Sequence, residues 1–284
     1  MKKFNGLLFK KDHQLKWENC HRNPGKKQKT YICAKKTGIY VNIQEYIESN
    51  QKKRQKMLAL LIDPDKCREG ALGKQARLIE EHQPHLVMVG GSLTSHPVDE
   101  VVRYLKANTS RPVILYPGHP VQVSFSADAL LFLSMISGRN PELLIGAHVT
   151  IAPAIRKNGI ETIPTGYMLI EGGVPTSVEY ISQTRPIPAD KTDIATATAI
   201  AGQLLGQKLV YMDAGSGARK VVSPQMIEAV KEQIEVPLMI GGGIDSPDKL
   251  SMAFNSGADI VVAGNILEKN PELLDSFMQI TRQS

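Results

Sequence analysis

At residues 208–218, KLVYMDAGSGA, an apolar run ends on a carboxylate, Asp213, and the chain then turns through Gly-Ser-Gly. Similar turns recur. Gly241-Gly242-Gly243 follows the run VPLMI at 236–240, and Gly264-Asn265 closes the run DIVVAG at 259–264. Glycines at such points let main-chain N–H groups come close to a ligand and adopt positive φ. Several converging amides cradle a phosphate without any fixed cation. Each charge-assisted bond contributes roughly 1.5–3 kcal/mol, so a handful localises the anion. Asp213 repels such an anion. Its position makes sense if it accepts a proton from a group attached to the phosphate, rather than binding the phosphate itself.

A second constellation follows two earlier runs. MLALLI at 57–62 leads into Asp63-Pro64-Asp65-Lys66, and LVMVG at 86–90 leads into Gly91-Ser92-Leu93-Thr94. A carboxylate and a hydroxyl on neighbouring strand ends, with waters, suit Mg²⁺, which often completes its shell with substrate phosphates. The same Asp-Pro pair also reads as the cap of the helix that follows. His119 and His148 fall near the same face and receive no role, and no Ser-His-Asp or Cys-His set is recoverable. Gly215 and Gly217 begin a G-x-G, but the third glycine position is Lys220, so the dinucleotide fingerprint is missing. No Walker-type phosphate loop occurs either.

Elements that bring these residues to one face are legible from Met57 onward. Eight short, nearly continuous apolar runs alternate with longer amphipathic stretches: 57–62, 86–90, 112–116, 129–135, 165–170, 208–212, 236–240 and 259–264. Continuous hydrophobicity suits parallel strands covered on the outside and packed within. Helices are expected at 66–82, 97–108, 141–156, 191–205, 223–234, 246–256 and 268–280, with a short one at 42–54 capped by Asn42. Asp190 and Ser223 are candidate N-caps, Pro224 fits a first helical position, and Gly206 and Gly257 are candidate stops. The stretch 118–128, GHPVQVSFSAD, is too short and irregular for a helix. Eight strand–helix units predict a closed (β/α)₈ TIM barrel, whose reactive face is the carboxyl end of its strands.

Composition agrees with a globular chain of 284 residues, 42% hydrophobic and 22% charged. The net charge of +6 belongs to the leader: residues 1–38 hold eleven lysines and arginines against Asp12 and Glu18. Residues 1–40 read as a basic, flexible leader and 41–284 as a single barrel domain. Cys20, Cys33 and Cys67 make no disulfide framework and suit a reducing compartment. With no signal-peptide core and no run long enough to span a bilayer, the expected location is the cytoplasm. No nucleic-acid partner is expected.

The motifs LLIDPDK, VMVGGS, IPTGYMLIEGG, RPIPADK, LVYMDAGSGA, MIGGGI and VAGN, in this order, resemble the geranylgeranylglyceryl phosphate synthase family, which includes bacterial heptaprenylglyceryl phosphate synthases. The resemblance covers about residues 57–275. It implies a Mg²⁺-dependent prenyltransferase of lipid biosynthesis, in which the C3 hydroxyl of sn-glycerol 1-phosphate attacks an allylic isoprenoid diphosphate and pyrophosphate leaves. It places Asp63 and Ser92 at the magnesium positions. Tyr211, Met212, Asp213, Ala214, Gly215, Ser216, Gly217, Gly242, Gly243, Gly264 and Asn265 fall at the glycerol-phosphate positions, with Asp213 and Tyr167 catalytic. The family pattern commonly has Glu at 213; Asp is one methylene shorter. The resemblance also implies a homo-oligomer, dimer or hexamer, and transient contact with a membrane surface. The region 112–136, with Tyr116, Phe125 and Phe132, is a candidate lining for the lipid tail. Two alternatives remain at this point: another phosphate-binding barrel enzyme, such as an aldolase or sugar-phosphate isomerase, and a non-catalytic phosphate- or lipid-binding module.

Overall fold

Eight parallel strands close on themselves: β1 (Met57–Ile62), β2 (Leu86–Gly91), β3 (Val113–Pro117), β4 (Ala129–Met135), β5 (Glu161–Leu169), β6 (Leu209–Asp213), β7 (Leu238–Gly241) and β8 (Ile260–Ala263). Each pairs with the next, and β1 pairs with β8. This is the expected (β/α)₈ barrel. The computed structural model describes residues 42–67, 70–264 and 270–284, which belong to one compact unit. The leader, 1–40, and Asn265 lie outside the described residues.

Strand periodicity explains why the runs are apolar throughout. Successive side chains point to opposite faces. Met57, Ala59, Leu86, Met88, Ile114 and Leu131 fill the barrel, while Leu58, Leu60, Val87, Val89, Leu115 and Val210 pack outward under the helices. Both faces are largely dry, so both parities are mainly apolar. On β6 the inward parity is Leu209, Tyr211 and Asp213, which carries the carboxylate to the mouth of the barrel at the end of a wall of apolar residues.

The helices are α1 (Ile43–Lys52), α2 (Ala71–His82), α3 (Val98–Asn108), α4 (Ala147–Asn158), α5 (Ser177–Ser182), α6 (Thr192–Leu204), α7 (Pro224–Lys231), α8 (Pro247–Asn255) and α9 (Leu273–Gln283). Asn42 caps α1 by accepting from the Glu45 amide at 3.1 Å, and Ser223 caps α7 by accepting from Met226 at 3.3 Å. Gly206 and Gly257 take positive φ just beyond α6 and α8. Asp190 does not cap α6. The cap position is Lys191, without a side-chain bond, and the exposed Asp190 carboxylate lies 3.6 Å from the Lys191 ammonium instead. β5 begins at Glu161, four residues before the expected start, because Pro164 reads as a strand breaker yet sits within the pairing, opposite Phe132. Between β3 and β4 there is only a 3₁₀ turn, Pro120–Gln122, so the usual crossover helix is replaced by a loop. A π-turn, Glu142–Gly146, leads into α4. Among the described residues, no helix is long and apolar enough to cross a membrane.

One end of the barrel is plugged by α1, whose Ile43 and Ile47 join the inner core. Glu161, at the start of β5, holds the plug: its carboxylate accepts from the Ile43 and Gln44 amides at 2.8 and 2.7 Å. Glu161→Ala leaves two partly buried helix amides without their acceptor. Urea unfolding should show a loss of about 1–3 kcal/mol, with substrate KM values unchanged because the site lies at the other end.

Candidate active site at the barrel mouth

Asp213 is buried, 6% exposed, and three donors converge on it. The Gly215 amide donates to Oδ1 at 2.8 Å, while the Tyr167 and Tyr116 hydroxyls donate to Oδ2 at 2.8 and 3.3 Å. Burial pushes its carboxyl above the usual carboxylate range, and the three donors offset only part of that rise. A buried carboxylate with a raised pKa is a stronger base than a solvated one. The tyrosine hydroxyls are held well above 10.0 by burial and by the Asp213 charge, so they stay neutral donors.

Three aromatic rings surround the acid. Tyr167 stands edge-on to Tyr211, with centroids 5.4 Å apart, and Tyr116 tilts against both at 6.3 and 5.6 Å. Tyr211 fits only because residue 241 is glycine; a Cβ there would overlap its hydroxyl.

The turns after β6 and β7 are gathered against one another. Gly215, Gly217, Gly242 and Gly243 all take positive φ, between 71° and 88°. A Cβ on Gly242 would lie 2.6 Å from the Gly215 nitrogen, and one on Gly172 would lie 2.6 Å from the Ala214 carbonyl oxygen. The loops after β5, β6 and β7 therefore meet main chain to main chain. Among the described residues, the Ser216, Gly217, Gly242 and Gly243 amides have no backbone acceptor outside the regular elements. Gly264, just after β8, has neither positive φ nor a close approach: the nearest atom to its Cβ position is 3.7 Å away, on Leu61. The Met212 and Ala214 side chains face the outer core, so only their main chain can reach the mouth.

Asp63 and Ser92 lie beyond the paired ends of β1 and β2. Asp63 does cap the turn Pro64–Lys66, accepting from the Asp65 amide at 3.1 Å, and its other oxygen lies 3.7 Å from the Lys66 ammonium. Asp65 in turn accepts from the Ser95 amide and hydroxyl and the His96 amide, tying this turn to the loop that carries Ser92. Among the described residues, no three His, Cys, Asp or Glu side chains gather into a metal site. One carboxylate and one hydroxyl suit Mg²⁺ only where a substrate's phosphates and water complete the shell.

A cavity of about 220 Å³ opens beside this centre, running from Ser92 past Tyr116 and Tyr167 to Phe132, His148 and Ile151. One of its walls is the loop that stands in place of a crossover helix between β3 and β4, with Gly118, His119, Pro120 and Val123 in the lining. His148 is buried there, edge-on to Phe132 at 4.5 Å with Nε2 3.4 Å from the Ser134 hydroxyl, and burial lowers its pKa so that it stays neutral. Tyr116 and Phe132 line the cavity as expected; Phe125 does not, and stands 40% exposed. Sequence reading missed the Tyr116 contact with Asp213 and the close packing of Gly172. The signal for Tyr116 was its parity: in VILYP it shares the inward face with Ile114.

A closed barrel with a buried acid, tyrosines and glycine turns at the carboxyl ends of its strands defines a (β/α)₈ protein with its chemistry at the usual face. Residues 49–281 match the PcrB family, and the chain belongs to that family. Its relatives include geranylgeranylglyceryl phosphate synthases from Chitinophaga pinensis, 52% identical over 77% of this chain and 87% of the relative, and from Pyrococcus horikoshii, 42% identical over 81% and 91%. Among solved structures, (S)-3-O-geranylgeranylglyceryl phosphate synthase from Thermoplasma acidophilum, in complex with substrate sn-glycerol-1-phosphate, superposes with a TM-score of 0.79. It is 29% identical, over 86% of this chain and 99% of that one.

Proposed function

We propose that the protein is a prenyltransferase that joins the C3 hydroxyl of sn-glycerol 1-phosphate to an allylic isoprenoid diphosphate. The observation that carries this reading is a buried acid bonded on one side to the gathered glycine turns, through the Gly215 amide, and on the other to Tyr116 and Tyr167, which line an apolar cleft. The names of the 52% and 42% identical relatives support the same reaction.

The phosphate rests on the amides of residues 215–217 and 242–243, with Gly264, just after β8, as the neighbouring part of the rim. This sets the C3 hydroxyl over Asp213. The prenyl diphosphate lies with its polar end at Asp63 and Ser92 and its tail in the cleft past Phe132. The bond from the prenyl C1 to the diphosphate breaks, and its electron pair leaves with pyrophosphate. The C3 oxygen bonds to C1 and gives its proton to Asp213. Tyr167 fixes the carboxylate, and Tyr211 walls the hydroxyl. Asp63 and Ser92 would hold a Mg²⁺ ion, which when bound would supply positive charge for the departing diphosphate. The apolar cleft excludes water, which would otherwise compete for the same carbon. A Schiff-base aldolase is disfavoured because none of the eight strands contains a lysine.

On this reading the enzyme works in the cytoplasm as a homo-oligomer, dimer or hexamer, and touches a membrane surface transiently to meet its lipid substrate. Leu204 and Leu205, each 80% exposed at the end of α6, are apolar surface that an assembly would cover.

The test is product mass after incubation with labelled sn-glycerol 1-phosphate, prenyl diphosphates of graded length and Mg²⁺. An ether-linked prenylglyceryl phosphate is expected, together with pyrophosphate. Chelation should abolish turnover and added Mg²⁺ should restore it. Absence of ether product at every chain length overturns the reading; undiminished turnover in chelator removes the metal.

A further inference from the structure

We propose that the ring of Tyr116 is a catalytic element: its face stabilises the positive charge that develops on the allylic carbons as the diphosphate departs. The inference rests on the prenyl-transfer reading and deepens it. When the C1–oxygen bond breaks with its electron pair leaving on pyrophosphate, the remaining charge spreads over the allylic carbons until the C3 oxygen bonds there and Asp213 takes the proton. That carbon must sit within reach of both the Ser92 end of the cleft and the acid. Tyr116 spans this interval. It lines the cleft together with Ser92, it stands on the strand next to the one that leads to Ser92, and its hydroxyl reaches Asp213 at 3.3 Å.

Tyr167 also touches the acid and the cleft, but its ring is 2% exposed and stands edge-on to Tyr211. Tyr116 is only half-buried, lines the cleft, and stacks flat on neither neighbour, tilting at 38° and 55° to them. Its backbone is fixed closely as well. Gly90 pairs with Tyr116, and a Cβ at Gly90 would overlap the Tyr116 carbonyl. A cation over an aromatic face is stabilised by the ring's negative quadrupole, most strongly where water is excluded. The cleft beside Tyr116 is apolar, so the interaction falls at the strong end of that range.

Tyr116→Leu, Tyr116→Phe and phenylalanines carrying one, two and three ring fluorines at position 116 test this, with kcat and KM measured for both substrates. Leu should lower kcat about 30-fold, with the glycerol-phosphate KM changed far less. Phe, which keeps the face but loses the long hydroxyl bond, should lose less than tenfold. Successive fluorination should lower kcat step by step from the Phe value, because fluorine drains the face while scarcely changing its shape. A residue that merely packs would not follow that series. A kcat for the Leu variant equal to that of Phe, or one that ignores fluorination, overturns the proposal. Failure of the prenyl-transfer reading would show differently, as an absence of ether product from the unaltered enzyme.

Discussion

Asp213→Asn should cut kcat by about 10²–10⁴-fold and leave the protein at least as stable at neutral pH. The substitution is nearly isosteric. With its oxygen in the Oδ1 position the amide still accepts from Gly215, and its NH2 group faces the tyrosine hydroxyls, which can turn to accept from it, so the loop after β6 keeps its anchor. What disappears is the proton acceptor. The stability sign follows from burial, which raises the carboxyl pKa above its ordinary 3.8 in the folded state. Between 3.8 and that raised value the native chain holds more protons than the unfolded chain, so stability falls as pH rises through the window. Above it the full cost of a buried charge is present, and Asn removes that cost. Melting curves should therefore show the variant equal to or above the original at neutral pH, with the gap closing as pH falls through the window. Calorimetric affinity for sn-glycerol 1-phosphate should hold or improve, because the like charge beside the phosphate is gone. Unchanged turnover would strip Asp213 of its role as base. A tenfold loss of affinity with little change in kcat would make it a binding residue instead.

The barrel was legible because its physical signal is long and repeated. A strand buried on both faces must be apolar at every position, and eight such runs spaced by amphipathic stretches leave few other closures. Glycine turns at strand ends were legible for a similar reason: only glycine supplies positive φ at no steric cost, so Gly215, Gly217, Gly242 and Gly243 announce a special main chain before any coordinates. The expectation that Asp190 caps α6 failed because residues 190 and 191 both precede a helical stretch, and local sequence does not fix which one turns. Pro164 hid four residues of β5, since a strand pattern cannot say whether a missing N–H falls where the ladder needs none. Helix α5, with six residues, is too short to show a period. The Tyr116–Asp213 contact joins residues 97 apart across the barrel, and no local pattern carries that distance. Inward parity told where Tyr116 pointed; only closure of the barrel told what it met. Asn265 was reached through resemblance and lies outside the described residues.

Gly242→Ala should raise the KM for sn-glycerol 1-phosphate about 10²-fold, the scale expected when a positioning element moves by about an ångström. Two separate costs fall on this residue. Its φ of 75° is left-handed, which costs an L side chain roughly 1–2 kcal/mol. Its new Cβ would also stand 2.6 Å from the Gly215 nitrogen and 2.8 Å from Ala214 backbone atoms. Those neighbours are main chain and cannot rotate away, so the turn after β6 must shift, taking with it the Gly215 amide that holds Asp213. Affinity and turnover should fall together, because one displacement disturbs both the cradle and the base. Gly206→Ala separates the two costs. Gly206 has a φ of 95° and nothing within 4 Å of its Cβ position, and it lies beyond α6, at the start of β6 rather than at the mouth. It should lose stability to strain of similar size and keep its KM. Equal KM values in the two variants would mean that main-chain contact between the β6 and β7 turns has no part in holding the substrate, and the phosphate would then have to be sought elsewhere on the rim.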